Sequence, residues 1–103
     1  MFIAMNRFKV TPGSEQAFTD MWTSRDSHLP SVPGFVEFHL LRGPDKGDHT
    51  LFSSHTIWHD KTAFEAWTRS EAFRAAHAGA GNNRAMYLGH PEFEGFDVVQ
   101  TVK

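Results

Sequence analysis

Apolar and polar side chains alternate along residues 2–10, so that Phe2, Ala4, Asn6, Phe8 and Val10 fall on one face of an extended strand and Ile3, Met5, Arg7 and Lys9 on the other. Thr11-Pro12-Gly13 then reads as a turn. Ser14 stands where it would cap a helix with an apolar stripe of Ala17, Phe18, Met21 and Trp22, and Glu15 lies near its positive end. Pro30 and Pro33-Gly34 end the connection. Residues 35–42 are strand-like, with Val36, Phe38 and Leu40 on one face and Phe35, Glu37, His39 and Leu41 on the other. A turn-rich stretch at 43–48 leads into residues 49–58, the expected antiparallel partner. Asp60 is placed to cap a helix carrying Ala63, Phe64 and Trp67. Ser70 offers a second capping hydroxyl before Phe73, Ala76 and His77, which predicts two short helices in succession. Residues 78–92, with three glycines, two asparagines and a proline, read as a mobile loop or lid. Residues 93–102 close the chain as a strand, with Phe96, Val98 and Val102 against Asp97, Val99 and Thr101. The order β-α-β-β-α(α)-β is that of an α+β, ferredoxin-like domain spanning residues 1–103, without repeat or linker. Several strands carry apolar residues on both faces, so helices should cover one side of the sheet and something else the other.

At 103 residues the chain makes one domain, and a monomer of that size buries only a modest fraction of its surface, which favours oligomerisation. With 10 basic and 12 acidic residues, a net charge of −2 and no cluster of Lys and Arg, the chain lacks the electrostatic footprint of a nucleic-acid-binding protein. The absence of cysteine excludes disulfides, thiolate zinc sites, iron–sulfur clusters and thiol catalysis. Seven histidines are what remain for soft metals. The apolar start, Met1 to Met5, is too short for a signal-peptide core and is followed, not preceded, by Arg7 and Lys9. Later apolar runs fall well short of the ~20 residues of a membrane span. These features predict a cytoplasmic protein.

Asn6 is the polar exception on an apolar strand face, and a buried amide without partners costs ~1–3 kcal/mol. It either bonds neighbouring backbone or is aimed into a pocket. His77, at the end of a helical pattern and followed by Ala78 to Asn83, is open to two readings. One is a C-terminal imidazole favoured by the helix dipole, with Gly79 or Gly81 left-handed. The other is a metal or haem-iron ligand oriented through its second ring nitrogen. Trp67 is core or a functional wedge. On one straight helix Trp67 and His77 would point about 80° apart, so a joint near Arg69-Ser70 is needed for both to line one groove, whereas Phe73 and His77 share a face regardless. His55 and His59 have the four-residue spacing of a helical metal pair, but they straddle a strand end and no glutamate completes the motif, so both read as ordinary polar positions.

Thr56-Ile57-Trp58, Phe64, Trp67, Ser70, Phe73 and Ala76-His77, together with Met1-Phe2 and Asn6, resemble the IsdG-type haem-degrading monooxygenases of the antibiotic-biosynthesis-monooxygenase superfamily. The resemblance covers nearly the whole chain, and its specific part is the trio Asn6, Trp67 and His77. It implies a dimeric α+β barrel, with the sheets of two copies paired, and one haem per protomer between sheet and central helices. It further implies that His77 is the axial iron ligand, that Asn6 meets oxygen or ordered water on the opposite side, and that Trp67 presses on and ruffles the porphyrin. Haem would then be both cofactor and substrate, consumed with O2 and electrons from an external reductase to give an open tetrapyrrole and free iron. Phe64 and Phe73 are assigned to the pocket wall, and the cations available for the propionates are Arg84, or Arg25 with nearby His28. Two other classes compete: a cofactor-free monooxygenase acting on an aromatic substrate, and a haem carrier without turnover.

Overall fold

A computed structural model describes residues 1–25, 28–71, 73–74 and 86–103. Its elements are strand β1 (Phe2–Val10), helix α1 (Glu15–Thr23), a 3-10 turn (Leu29–Ser31), strands β2 (Phe35–Asp45) and β3 (Thr50–Trp58), helix α2 (Lys61–Thr68) and strand β4 (Tyr87–Asp97). The four strands form one antiparallel sheet in the order β2-β3-β1-β4. That order, with β1 and β3 central, is the ferredoxin-like arrangement expected from the alternation of elements.

The register between β1 and β3 pairs Phe2 with Trp58, Ala4 with Thr56, Asn6 with Ser54 and Phe8 with Phe52. Side chains paired across two strands lie on the same face, so these residues make up the helix-covered side. Two aromatic clusters occupy it. Phe2, Ala4, Leu29 and Trp58 pack with Phe64 and Trp67 at one end. Phe8, Val10, Phe18 and Phe52 pack with Met21, Trp22 and Tyr87 at the other. The opposite face carries Ile3, Met5, Leu51 and Ile57 along its centre. Leu41, Leu88 and Phe96, each about two-fifths exposed, lie on the same uncovered face. Within it, Arg7 pairs with Glu94 of β4, and the His39 and His55 rings meet across β2 and β3 with centroids 5.6 Å apart.

Several local expectations need correction. Phe35 pairs with Trp58 and Glu37 with Ile57, so a bulge at Val36 puts Phe35 and Phe38 on the same, helix-covered face and leaves Val36 exposed. The last strand begins at Tyr87 and ends at Asp97, so the second part of the expected 78–92 loop is ladder and residues 98–102 are not strand. Glycine and proline at 89 and 91 suggested a loop, but β4 is an edge strand, where a proline costs no ladder bond on its open side. Residues 78–85 lie outside the described residues.

Ser14 makes no side-chain cap, its backbone (φ −98°, ψ 3°) lacking the extended conformation such a cap requires. Glu15 organises this corner instead, accepting from the backbone N–H of Gly13 at 2.8 Å and from the Thr50 hydroxyl at 2.9 Å. Bonds from its own backbone amide, from Thr50 and from Gly13, with the nearby Arg42 charge, hold its carboxyl below the ordinary carboxylate value against the opposing effect of desolvation. A depressed folded value contributes stability above the unfolded pKa, and that contribution is lost as pH falls through the folded value. Urea unfolding midpoints should therefore drop further on acidification in the wild type than in Glu15→Gln. Parallel acid-side profiles would remove Glu15 from that role.

The α2 cap is as expected: the Asp60 carboxylate accepts from Ala63 N–H at 2.7 Å. Gly34 (φ +83°) brings its carbonyl to His59 N–H (2.9 Å) and its α-carbon against Ala63, which seats the start of α2 on the β2 turn. A side chain there would push α2 off the sheet. After Thr68, Ser70 Oγ donates to the Trp67 carbonyl (2.6 Å) and accepts from Phe73 N–H (3.2 Å), and Glu71, Phe73 and Arg74 are helical. The second helical segment thus starts at the hydroxyl that the sequence marks for it.

Candidate active site

Between the two aromatic clusters the helix-covered face opens into a cavity of about 580 Å³. Its floor is the sheet: Ala4, Asn6 and Phe8 from β1, Ser54 and Thr56 from β3, Phe38 from β2. Phe64, Trp67 and Phe73 wall one side, and Met21, Trp22 and Arg25 the other, while Pro91 and Phe93 of β4 form the rim. The size lies within the ~300–1,000 Å³ of small-molecule and cofactor sites.

Four of the residues singled out in the sequence, Asn6, Phe64, Trp67 and Phe73, meet in this one cavity. Trp67 is fixed by rings on three sides: Phe73 edge-on at 4.8 Å and 87°, Trp58 at 5.4 Å and Phe64 at 6.3 Å. Phe64 also stacks on Phe93 across the cavity mouth at 5.7 Å and 6°. Phe93 is half exposed, so this pair forms an aromatic edge between solvent and interior. On the facing wall Trp22 stacks on Phe38 at 5.7 Å and 19°. These walls are flat, apolar and polarisable, the surface that a planar conjugated molecule needs.

Arg25 supplies charge. Its guanidinium lies over the Trp22 ring, 4.4 Å from the centroid, with Nη2 3.9 Å from the Met21 sulfur. Burial pulls its pKa below the ordinary arginine value, opposed by Tyr87, yet a guanidinium stays protonated at neutral pH. Among the described residues no carboxylate forms an ion pair with Arg25. His28 also lines the cavity. A partly desolvated cation lining an apolar cavity, with no counter-ion among the described residues, suits an anionic group on a bound molecule.

The sheet floor is polar at one place. Asn6 and Ser54 face each other across β1 and β3, and among the described residues neither side chain has a hydrogen-bond partner. Thr56 next to them donates to the Ala4 carbonyl at 3.2 Å.

His77 and Arg84 lie outside the described residues. No group of three or more His, Asp or Glu able to hold a metal occurs among those described. His55 faces the uncovered side of the sheet, paired with Met5 and His39, and His59 follows β3, so the two do not converge on the cavity. No helix among the described residues is long and apolar enough to cross a membrane. The sequence reading missed Ser54, Trp22, Tyr87 and Phe38 as site residues. Alternation alone puts Ser54 and Thr56 on one face of β3, but only the register sets them beside Asn6.

Comparison with known proteins adds an independent measure. Residues 1–79 match the family model described as antibiotic biosynthesis monooxygenase. A haem-degrading monooxygenase of Bacillus thuringiensis is 31% identical over 81 residues, covering 79% of this chain and 75% of the relative. The haem degrader MhuD of Mycobacterium tuberculosis, solved with two haems bound in its active site, superposes with a TM-score of 0.76 at 31% identity over the full length of both chains. SnoaB of Streptomyces nogalater, a cofactor-independent oxygenase, superposes with a TM-score of 0.73 at 28% identity, covering 98% of this chain and 95% of its own. With three-quarters of the sequence under the family model and the ferredoxin-like sheet beneath it, this chain belongs to the antibiotic biosynthesis monooxygenase family.

Proposed function

We propose that the protein is a haem-degrading monooxygenase that opens the macrocycle with O2 and electrons from an external reductase, releasing iron and a linear tetrapyrrole. The observation that carries this reading is the convergence of Asn6, Trp67, Phe64 and Phe73 on a single aromatic cavity large enough for a cofactor. The residues fit the group. Aromatic walls suit a flat macrocycle, and the Arg25 cation, with His28 also lining the cavity, suits a propionate. When bound, haem supplies both the iron that activates oxygen and the carbon skeleton that is oxidised.

The chain contributes binding, orientation and exclusion of water. By resemblance, His77 would hold the haem iron. Trp67, braced by Phe73, Trp58 and Phe64, lines the cavity from a position that the surrounding rings keep from yielding, so it would resist displacement by a bound macrocycle. Asn6, on the sheet floor, would offer its amide N–H to a small oxygen ligand or water. The Phe64–Phe93 pair restricts access of bulk water at the mouth. Arg25 and His28, which line the cavity, would hold a propionate, with Arg84 as the other cation assigned to that task by the sequence.

Haemin added to purified protein should give a Soret band, which then decays in air when ascorbate is supplied with catalase present. Absence of binding would instead favour the cofactor-free oxygenase reading, to which the likeness to SnoaB lends weight. Binding without decay would make the protein a carrier.

The uncovered sheet face, with Leu41, Leu88 and Phe96 exposed on it, supports pairing of two copies into a barrel. Sedimentation at micromolar concentration should give a dimer, and a well-folded monomer would count against the barrel.

A further inference from the structure

We propose that Ser54 is a second hydrogen-bonding group of the active site, which together with Asn6 orients the small oxygen ligand, O2 or water, at the sheet floor. The inference rests on the haem reading above. Four hydroxyls lie on β3, and three have protein acceptors: Thr50 Oγ1 donates to Glu15 (2.9 Å), Ser53 Oγ to the Ser54 carbonyl (3.2 Å) and Thr56 Oγ1 to the Ala4 carbonyl (3.2 Å). Ser54 Oγ has no partner among the described residues, although the residue is only 8% exposed and lines the cavity. The hydroxyl is not sealed beneath the sheet but open to the cavity, so its hydrogen bond is available to water or to a bound molecule.

Its position is as informative as its state. Ser54 is the direct cross-strand partner of Asn6, and Cβ atoms so paired stand about 4.5–5.5 Å apart. Side chains reaching inward from that separation bracket one small ligand. Asn6 by itself would leave a ligand free to swing about one hydrogen bond. Two fixed points on neighbouring central strands define a direction, and β1 and β3 are the stiffest part of the sheet, each paired on both sides. Phe8, Ala4 and Phe38 around the pair are apolar, so the two polar side chains are the sheet floor's means of holding an oxygen atom against drift along the cavity.

The test uses full-length protein reconstituted with haemin, and azide as the ferric-state probe. Ser54→Ala should keep the Soret titration within about twofold of wild type, since one small hydroxyl adds little to the aromatic contact area. It should weaken azide about five- to tenfold, the equivalent of one hydrogen bond. It should also raise the infrared C–O stretch of the carbon monoxide complex of the reduced protein, as loss of a donor does. Ser54→Thr, which keeps the hydroxyl, should restore both readouts. In a cycle with Asn6→Ala, the double variant should lose less than the product of the single losses, as expected for two groups acting on one ligand. Azide affinity and C–O stretch unchanged in haem-loaded Ser54→Ala would overturn the proposal while leaving the haem reading intact. No Soret band in the wild type would overturn both.

Discussion

His77→Ala is expected to lose the Soret band of histidine-ligated haem and at least about 100-fold in haem affinity, since even partners one shell removed from a metal are worth ~10–100-fold. The expectation combines sequence with the cavity geometry. His77 follows Phe73 by four residues, the spacing of one helix face, and Phe73 packs edge-on against Trp67 inside the cavity. Of the described histidines, His39 and His55 lie on the far face of the sheet, and His28 is the one that lines the cavity. External imidazole should restore the lost band in the variant, a recovery that a general folding defect would not give. An unchanged Soret position and affinity in His77→Ala would dismiss it as the ligand.

The second large effect is on rate. Asn6→Ala should fold and bind haem, yet degrade it about 10²–10³-fold more slowly, the usual loss when a preorganised donor is removed from a water-poor site. Folding should tolerate the change because, among the described residues, the Asn6 side chain has no hydrogen-bond partner for the substitution to orphan. Alanine on this face of β1 repeats the environment already accepted at Ala4. Following Soret decay with ascorbate and catalase isolates the O2-dependent route. Degradation at the wild-type rate under those conditions would make Asn6 a structural amide.

Most of the architecture was legible in the chain because the period-two and helical patterns are unambiguous there. The inward set Phe2, Ala4, Asn6, Phe8, Val10 is the observed one, and the caps at Asp60 and Ser70 form as their side chains predict. Failures occurred where a tertiary partner overrode a local signal. Glu15 is drawn to Thr50 of β3, which left Ser14 without a capping role, and one extra residue at Val36 moved Phe35 to the face opposite the expected one. Neither Thr50 nor the bulge is visible from neighbours in sequence. For the site the same distinction holds. Asn6 stood out because it interrupts an apolar row, and Phe64, Trp67 and Phe73 because of their spacing, whereas Ser54 sits in a polar run, Ser53 to Thr56, where nothing marks one hydroxyl from the next. Only the β1–β3 register distinguishes it.

The two aromatic clusters have a thermodynamic meaning. On β1 the inward residues run Phe2, Ala4, then Asn6, then Phe8, Val10, and the polar position falls in the gap between one cluster and the other. Apart from the Trp22–Phe38 stack that joins them, the clusters leave a gap between them, and a guest that occupies it extends the hydrophobic interior. Whatever binds there contributes to folding by mass action, ~2.7 kcal/mol when present at a hundred times its dissociation constant. The cavity trades self-sufficient stability for affinity. An enzyme that consumes its guest would then loosen its own interior with each turnover, and the same act that finishes the reaction would weaken the hold on what is left.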